Sequence, residues 1–210
     1  MKPLFCEPIQ VPWELKPISS AETGMEALPD GRIKFWLRHD VLRGVTLQML
    51  VWWFKHIDGD IQINGVTYPR YRIWHPSDHI RHQYVKRCSD GSVGPGAIMR
   101  ITEALNRNPD FLIDNYVVIE QLDESGFAFS PILRGVKVGR AEYSFTPVSN
   151  GMLYENSLTI GVPWSRIGNR LVIPRAFPKE KGIAWFRHNI EEVGSFEHFL
   201  PELYGQATRA

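Results

Sequence analysis

The run Trp185-Phe186-Arg187-His188-Asn189-Ile190-Glu191-Glu192 sets an imidazole and a carboxylate four positions apart, at His188 and Glu192. On a helix these positions lie one turn apart on the same face, so both side chains can address one ion. Imidazole nitrogen and carboxylate oxygen are both zinc ligand types. The same spacing also serves a solvated ion pair, and the flanking Phe186, Ile190 and Val193 leave both readings open by turning the face toward a core. A second concentration is Tyr71-Arg72-Ile73-Trp74-His75-Pro76-Ser77-Asp78-His79-Ile80-Arg81-His82, where three of the seven histidines fall within eight positions. Pro76 forces a turn after an expected strand, and strand ends at a sheet rim are common places for ligands. His79 is read as a metal ligand, while His75 and His82 are read either as turn residues or as polar groups beside the site. The third signal is Glu103, which alternates with Met99 and Ile101 and so shares their inward face. An unpaired interior carboxylate is costly, so it calls for a metal or another cation; the alternatives are a strand end already in solvent, or Glu120 in its place.

These residues need elements to position them. Ile33 to His39 reads as a strand and Arg43 to Ile57 as a helix, with Val45, Met49, Trp52, Trp53 and Ile57 near helical spacing and Trp52-Trp53-Phe54 as core. From Val66 the composition shifts to β-branched and aromatic runs between Gly, Asp and Pro turns, predicting strands over 67–74, 97–103, 111–122, 126–133, 136–146 and 151–160. A long helix is expected from Glu180 to Leu200, ended by Pro201. One buried sheet face and one long apolar helix stripe cover each other best as an α+β fold, a curved antiparallel sheet wrapped around the C-terminal helix with a cavity between them. Residues 1–32, punctuated by Pro3, Pro8, Pro12, Pro17 and Pro29, are expected as an extended arm, and residues 33–210 as the domain.

Composition excludes several functions. Lys+Arg of 24 against Asp+Glu of 23 offers no broad field for phosphate backbones or anionic lipid, so nucleic acid and membrane are not expected partners. Cys6 and Cys88 lack metal-site spacing, although a single bridge between them stays open. The loop Gly91 to Gly96 lacks the Lys-Ser/Thr of a phosphate loop and reads as a turn. No apolar stretch of signal-peptide or membrane-span length occurs at the start or at Met49 to Phe54, which makes a cytoplasmic protein the expectation.

Taken together the segments resemble the diacetylphloroglucinol hydrolases, zinc enzymes that cut a carbon–carbon bond between an acyl group and a phenolic ring. The resemblance is carried by Leu50-Val51-Trp52-Trp53-Phe54 with His56, by Trp74-His75-Pro76-Ser77-Asp78-His79, by the strand ending in Glu103, by Arg187 to Glu192, and by Phe199-Leu200-Pro201-Glu202-Leu203-Tyr204. It implies a helix-grip fold, similar to pollen-allergen (Bet v 1-like) and steroid-carrier (START-like) domains. It also implies Zn²⁺ held by His79, Glu103, His188 and Glu192. Tyr71 and His82 then become candidates for proton transfer or for holding phenolic oxygens, His82 standing where the family has an amide. Tyr154, Trp74 and His75 are expected to bind substrate, and Asp78 or Glu191 to orient an imidazole through its second nitrogen.

The implied substrate is a small acylated phenol or a related ketone. Protonation of the ring carbon would make the acyl carbon part of a 1,3-diketone, whose hydrolysis releases a stabilised enolate. Two other readings remain within the same fold: a non-catalytic carrier of aromatic or polyketide molecules, and a metal-free cyclase. A homodimer is a candidate assembly.

Overall fold

The computed structural model describes residues 6–209. The elements are β1 (Ala21–Ala27), β2 (Ile33–His39), β3 (Leu42–Arg43), α1 (Leu47–His56), β4 (Asp60–Ile63), β5 (Val66–Pro69), α2 (Arg70–Trp74), β6 (His79–Lys86), β7 (Ile98–Ala104), β8 (Leu112–Asp123), β9 (Gly126–Leu133), β10 (Val136–Lys137), β11 (Gly139–Val148), β12 (Gly151–Ile160), α3 (Arg166–Ala176) and α4 (Lys179–Arg209). The main sheet is antiparallel in the order β1-β2-β12-β11-β9-β8-β7-β6, with β3 added to β12 and β10 to β9. The small β4–β5 hairpin stands apart.

One face of this sheet and the inner stripe of α4 form the core, as the sequence implies. Trp53 of α1, fully buried, packs its ring against Trp74, Phe196 and Phe199 at centroid separations of 5.8, 5.6 and 5.1 Å. Truncating such a side chain to alanine costs about 3–5 kcal/mol. Gly182 marks the closest approach of α4 to the sheet: a Cβ there would stand 2.2 Å from Phe35 of β2. Glycine weakens a helix interior by up to about 1 kcal/mol relative to alanine, so its place here reflects contact distance rather than helix propensity.

The structure departs from the expected elements in several places. The arm expected over residues 1–32 begins with residues 1–5, outside the described residues, and its later part joins the sheet: β1 pairs with β2 from Ala21↔His39 to Ala27↔Ile33. Before it, Ile9 donates its amide to Pro76 O at 3.1 Å, tying the arm to the turn that precedes His79. The strand expected over 67–74 stops at Pro69 and continues as α2, whose Tyr71, Ile73 and Trp74 are all buried. Burial on adjacent as well as alternate positions fits a helical turn seated in the core better than a two-sided strand. Pro201 does not end the last helix; α4 runs to Arg209, because Leu200 and Leu203 are buried in the core and their burial offsets the lost hydrogen bond. Finally, β3, β4, β6 and α3 were not expected, the helix expected from Arg43 begins at Leu47, and the strand expected over 136–146 divides into β10 and β11.

Cys6 and Cys88 are both free thiols, so no bridge joins them. No helix among the described residues is long and apolar enough to cross a membrane.

Candidate metal centre

The pairing of β6 with β7 sets His79 directly opposite Glu103, and α4 crosses the concave side of those strands with His188 and Glu192 facing them. All four residues are buried. His79 Nε2 lies 3.3 Å from Glu192 Oε2 and 3.6 Å from Glu103 Oε2; His188 Nε2 lies 3.5 and 3.7 Å from the same two oxygens. Ligands bonded at about 2.0–2.1 Å to one tetrahedral ion stand roughly 3.3 Å apart, so the donor spacing suits a single ion at their centre.

The hydrogen bonds on the far side of each ring fix what faces inward. His79 Nδ1 meets the carbonyl of Tyr71 at 2.6 Å and His188 Nδ1 meets Asp78 Oδ2 at 3.0 Å, both pure acceptors. Each Nδ1 must therefore donate, which leaves each neutral Nε2 as a lone pair aimed at carboxylate oxygens. His79 Nε2 is buried without a hydrogen-bond partner. Two buried carboxylates beside two imidazoles call for positive charge among them, from a proton on His188 or from a metal ion. The titration behaviour expresses the same demand: burial works against a charge on His188, but Glu103, Glu192 and Asp78 outweigh it and raise its pKa well above the ordinary value. Burial lowers the pKa of His79, with Glu192 opposing. Burial pushes Glu192 up, yet His188 and His79 together bring it down to about 2. The donor set thus fits a divalent metal, whose two charges the carboxylates neutralise.

An outer layer holds the donors. Tyr71 stacks on the His79 ring at 3.7 Å with 6° between planes, and its hydroxyl donates to Glu103 Oε2 at 2.9 Å. Asp78 accepts from His188 and from the amides of Asn106 at 2.9 Å and Arg107 at 3.1 Å. Asn106 and Arg107 both have left-handed φ, 54° and 53°, a strained conformation for residues with side chains. Their two amides form a small anion-binding concavity around the carboxylate. His75 stacks on His188 at 4.4 Å and lies between Asp78 and Glu191, taking the Asp78 amide on Nδ1 and donating Nε2 to Glu191 Oε2 at 3.0 Å. Of the two acids expected to orient a ligand imidazole, Asp78 meets His188 directly, whereas Glu191 meets His75, which is not one of the four donors. Glu120 is elsewhere: a register shift between Ile119 and Gln121 turns it to Ser130 at 2.9 Å and Lys137 at 2.6 Å.

The donors sit in the wall of a cavity of ≈ 310 Å³ between α4 and the sheet. Trp74, Tyr71 and His82 line it, as do Phe54, Phe127 and Phe129. His82 is a neutral imidazole, because burial first, then His79 and Arg87, lower its pKa to about 3. Tyr154 and His75 do not line the cavity; Tyr154 is fully buried and packs with Phe145 and Phe196. On the paired strand β11 Tyr143 does face the cavity, as Tyr71 and Tyr84 do, and burial, Glu192 and Glu103 raise its pKa. Alternation with Ala141 and Phe145 was the signal for it. Lys181 and Asn189 of α4 are further lining residues that no motif marked.

Residues 15–110 match the family model described as the DAPG hydrolase PhiG domain, the family whose motifs the sequence resembles. That segment contains His79 and Glu103, whereas His188 and Glu192 come from α4 beyond it. No curated protein matches the chain. Among solved structures, a START superfamily protein from Mycobacterium smegmatis is similar with a TM-score of 0.51 at 11% identity, over 81% of this chain and 95% of that one. A protein from Nitrosomonas europaea is similar with a TM-score of 0.50 at 13% identity, over 84% of this chain and 97% of that one. These likenesses agree with the helix-grip fold, a curved antiparallel sheet around a long C-terminal helix.

Proposed function

We propose, from the family match over residues 15–110 and from the grouping of His79, Glu103 and His188 with Glu192 close to both imidazoles, that the chain is a zinc-dependent hydrolase of the carbon–carbon bond between an acyl group and a phenolic ring. The observation that carries this reading is the convergence of His79 Nε2 and His188 Nε2 on the carboxylates of Glu103 and Glu192 at the wall of an aromatic cavity. Two imidazoles and two carboxylates are a zinc donor set, and a bound zinc ion would supply Lewis acidity, polarising a carbonyl and lowering the pKa of water.

The chain's own residues account for the rest. Phe54, Phe127 and Trp74 offer faces for a phenolic ring and exclude bulk water. Tyr71 and Tyr143 keep their protons, because burial and the neighbouring carboxylates raise both pKa values; Tyr143 is thus a donor to a substrate oxygen, while Tyr71, whose proton goes to Glu103, offers its oxygen as an acceptor. His82, neutral and with Nδ1 free of partners, accepts a hydrogen bond from a phenolic hydroxyl and so favours the keto tautomer as that proton leaves. In the net reaction water adds across the broken bond: its hydroxyl joins the acyl carbon to give a carboxylic acid and its proton joins the ring carbon.

Elemental analysis of protein purified without added metal, followed by incubation with a panel of acylated phenols, tests this. About one zinc per chain, release of carboxylic acid, and loss of turnover on chelation are expected. Active protein free of stoichiometric transition metal would overturn the mechanism, and metal-loaded protein that binds the phenols without cleaving them would favour a carrier.

A further inference from the structure

Lys181 is 8% exposed and is the one lysine or arginine among the described residues that line the cavity. Its ammonium donates to the Leu112 carbonyl at 3.2 Å and lies 5.6 Å from the centre of the Phe177 ring, and no carboxylate among the described residues forms a salt bridge with it. An ammonium carries three donors, so a buried one with a single carbonyl partner is under-satisfied. The carboxylates that share the cavity wall are engaged elsewhere: Glu103 and Glu192 in the metal centre, and Asp114 in a two-pronged pair with Arg100 at 2.7 and 2.6 Å. Lys181 also lies on the same stripe of α4 as the donors. It is seven residues before His188, which is about 10 Å along the axis at ~1.5 Å per residue. The wall of the cavity therefore holds both the four donors and one cation, with Phe177 and Trp185 in the same lining.

We propose that Lys181 selects a substrate bearing an anionic oxygen group, a carboxylate or an ionised phenol, at the end of the ring remote from the acyl group. This deepens the hydrolase reading and rests on it for the word substrate; the recognition of an aromatic anion stands on the lysine alone. The acyl group would face His79 and His188 while the anion completes the hydrogen bonds of the ammonium. Burial lowers the pKa of Lys181 and the charge of Glu103 raises it, so the lysine lacks a close counter-ion of its own but not a favourable field.

The test is calorimetric binding of para-acetylbenzoate, its methyl ester and para-hydroxyacetophenone, the last on both sides of its own pKa, to the wild-type chain and to Lys181→Met. Each protein is measured zinc-loaded and metal-stripped, with melting temperature and zinc content checked. A charge-assisted hydrogen bond is worth roughly 10- to 100-fold in affinity. The wild type should prefer an anion over its neutral counterpart by that factor, and Lys181→Met, folded and zinc-replete, should lose the preference. The arm that shows the larger preference distinguishes carboxylate from phenolate. If Lys181→Met does not fold, Lys181→Gln is measured in its place. A wild type indifferent to charge, or a folded variant that keeps the preference, overturns the proposal. Lysine-dependent anion binding in metal-stripped protein, together with no hydrolysis by the zinc-loaded form, would remove the hydrolase reading and leave the anion site standing.

Discussion

His79 and Glu103 reach the centre on neighbouring strands and are held by neutral groups, whereas His188 and Glu192 reach it on one helix turn, where His188 is held by the Asp78 carboxylate with His75, Glu191 and Arg187 behind it. On the strand side a peptide carbonyl, an aromatic stack and a tyrosine hydroxyl do the orienting. On the helix side Asp78, His75, Glu191 and Arg187 follow one another from His188 toward the surface, Arg187 donating to Glu191 at 2.8 Å. A neutral support that loses one member loses one hydrogen bond. A buried charged support that loses one member strands the others, at a cost of several kcal/mol. The helix half should therefore be the brittle half.

The largest effect should come from the helix donor itself. Glu192→Ala removes a donor that faces both imidazoles, and it should lower zinc content and turnover together by orders of magnitude. Glu191→Ala, one position away and bonded to His75 and Arg187, acts only through His75 and should cost ~10–100-fold at most. Zinc content and kcat/KM of both variants decide the matter. The reverse ranking would mean that the helix presents His188 with Glu191 to the metal.

Asp78→Asn should come next, with metal affinity falling ~10–100-fold. The substitution keeps the shape but takes away the charge that Asn106 and Arg107 hold in strained backbone and that fixes the His188 tautomer. Zinc affinity by competition with a chelator, beside the melting temperature, measures it. If affinity is unchanged while stability falls, Asp78 is only a fold clamp and the charged half is less brittle than its geometry implies.

The same contrast explains what was legible in the sequence. His188 and Glu192 could be read because helical periodicity over Phe186, Ile190 and Val193 fixes which face they share. Glu103 could be read because Met99 and Ile101 keep strict alternation on β7 up to it. Both are local patterns. His79 was found as a residue but its strand was not: a register shift between His79 and Arg81 interrupts the alternation of β6, and the inward positions after it are His82 and Tyr84 rather than aliphatic residues. Tyr154 and Tyr143 lie on paired strands, and composition alone does not tell which one meets the cavity; the sheet's curvature decides. Lys181 gave no signal, since a lysine in the first turn of a helix is an ordinary solvated residue until the Leu112 carbonyl and the Phe177 ring close over it. α3 hid for a different reason: Ile167, Leu171 and Val172 are exposed, so its apolar residues trace no core-facing stripe, and Pro174 lies inside it.

The smallest effect tests the neutral half. Tyr71→Phe removes the hydroxyl that donates to Glu103 Oε2 and keeps the ring that stacks on His79, while the carbonyl that accepts from His79 is backbone and stays. Glu103 then lacks one hydrogen bond from a neutral donor to its carboxylate, worth about 1.5 kcal/mol, so zinc affinity should fall by about tenfold and the melting temperature by a few degrees. The hydroxyl also lines the cavity, so KM for an acylated phenol should rise more than kcat falls if its role is to hold a substrate oxygen. Chelator competition separates the two contributions, because it reads the metal site without substrate. A loss of zinc as large as that of Asp78→Asn would erase the difference between the halves and make Tyr71, through Glu103, as critical a support as the charged network behind His188.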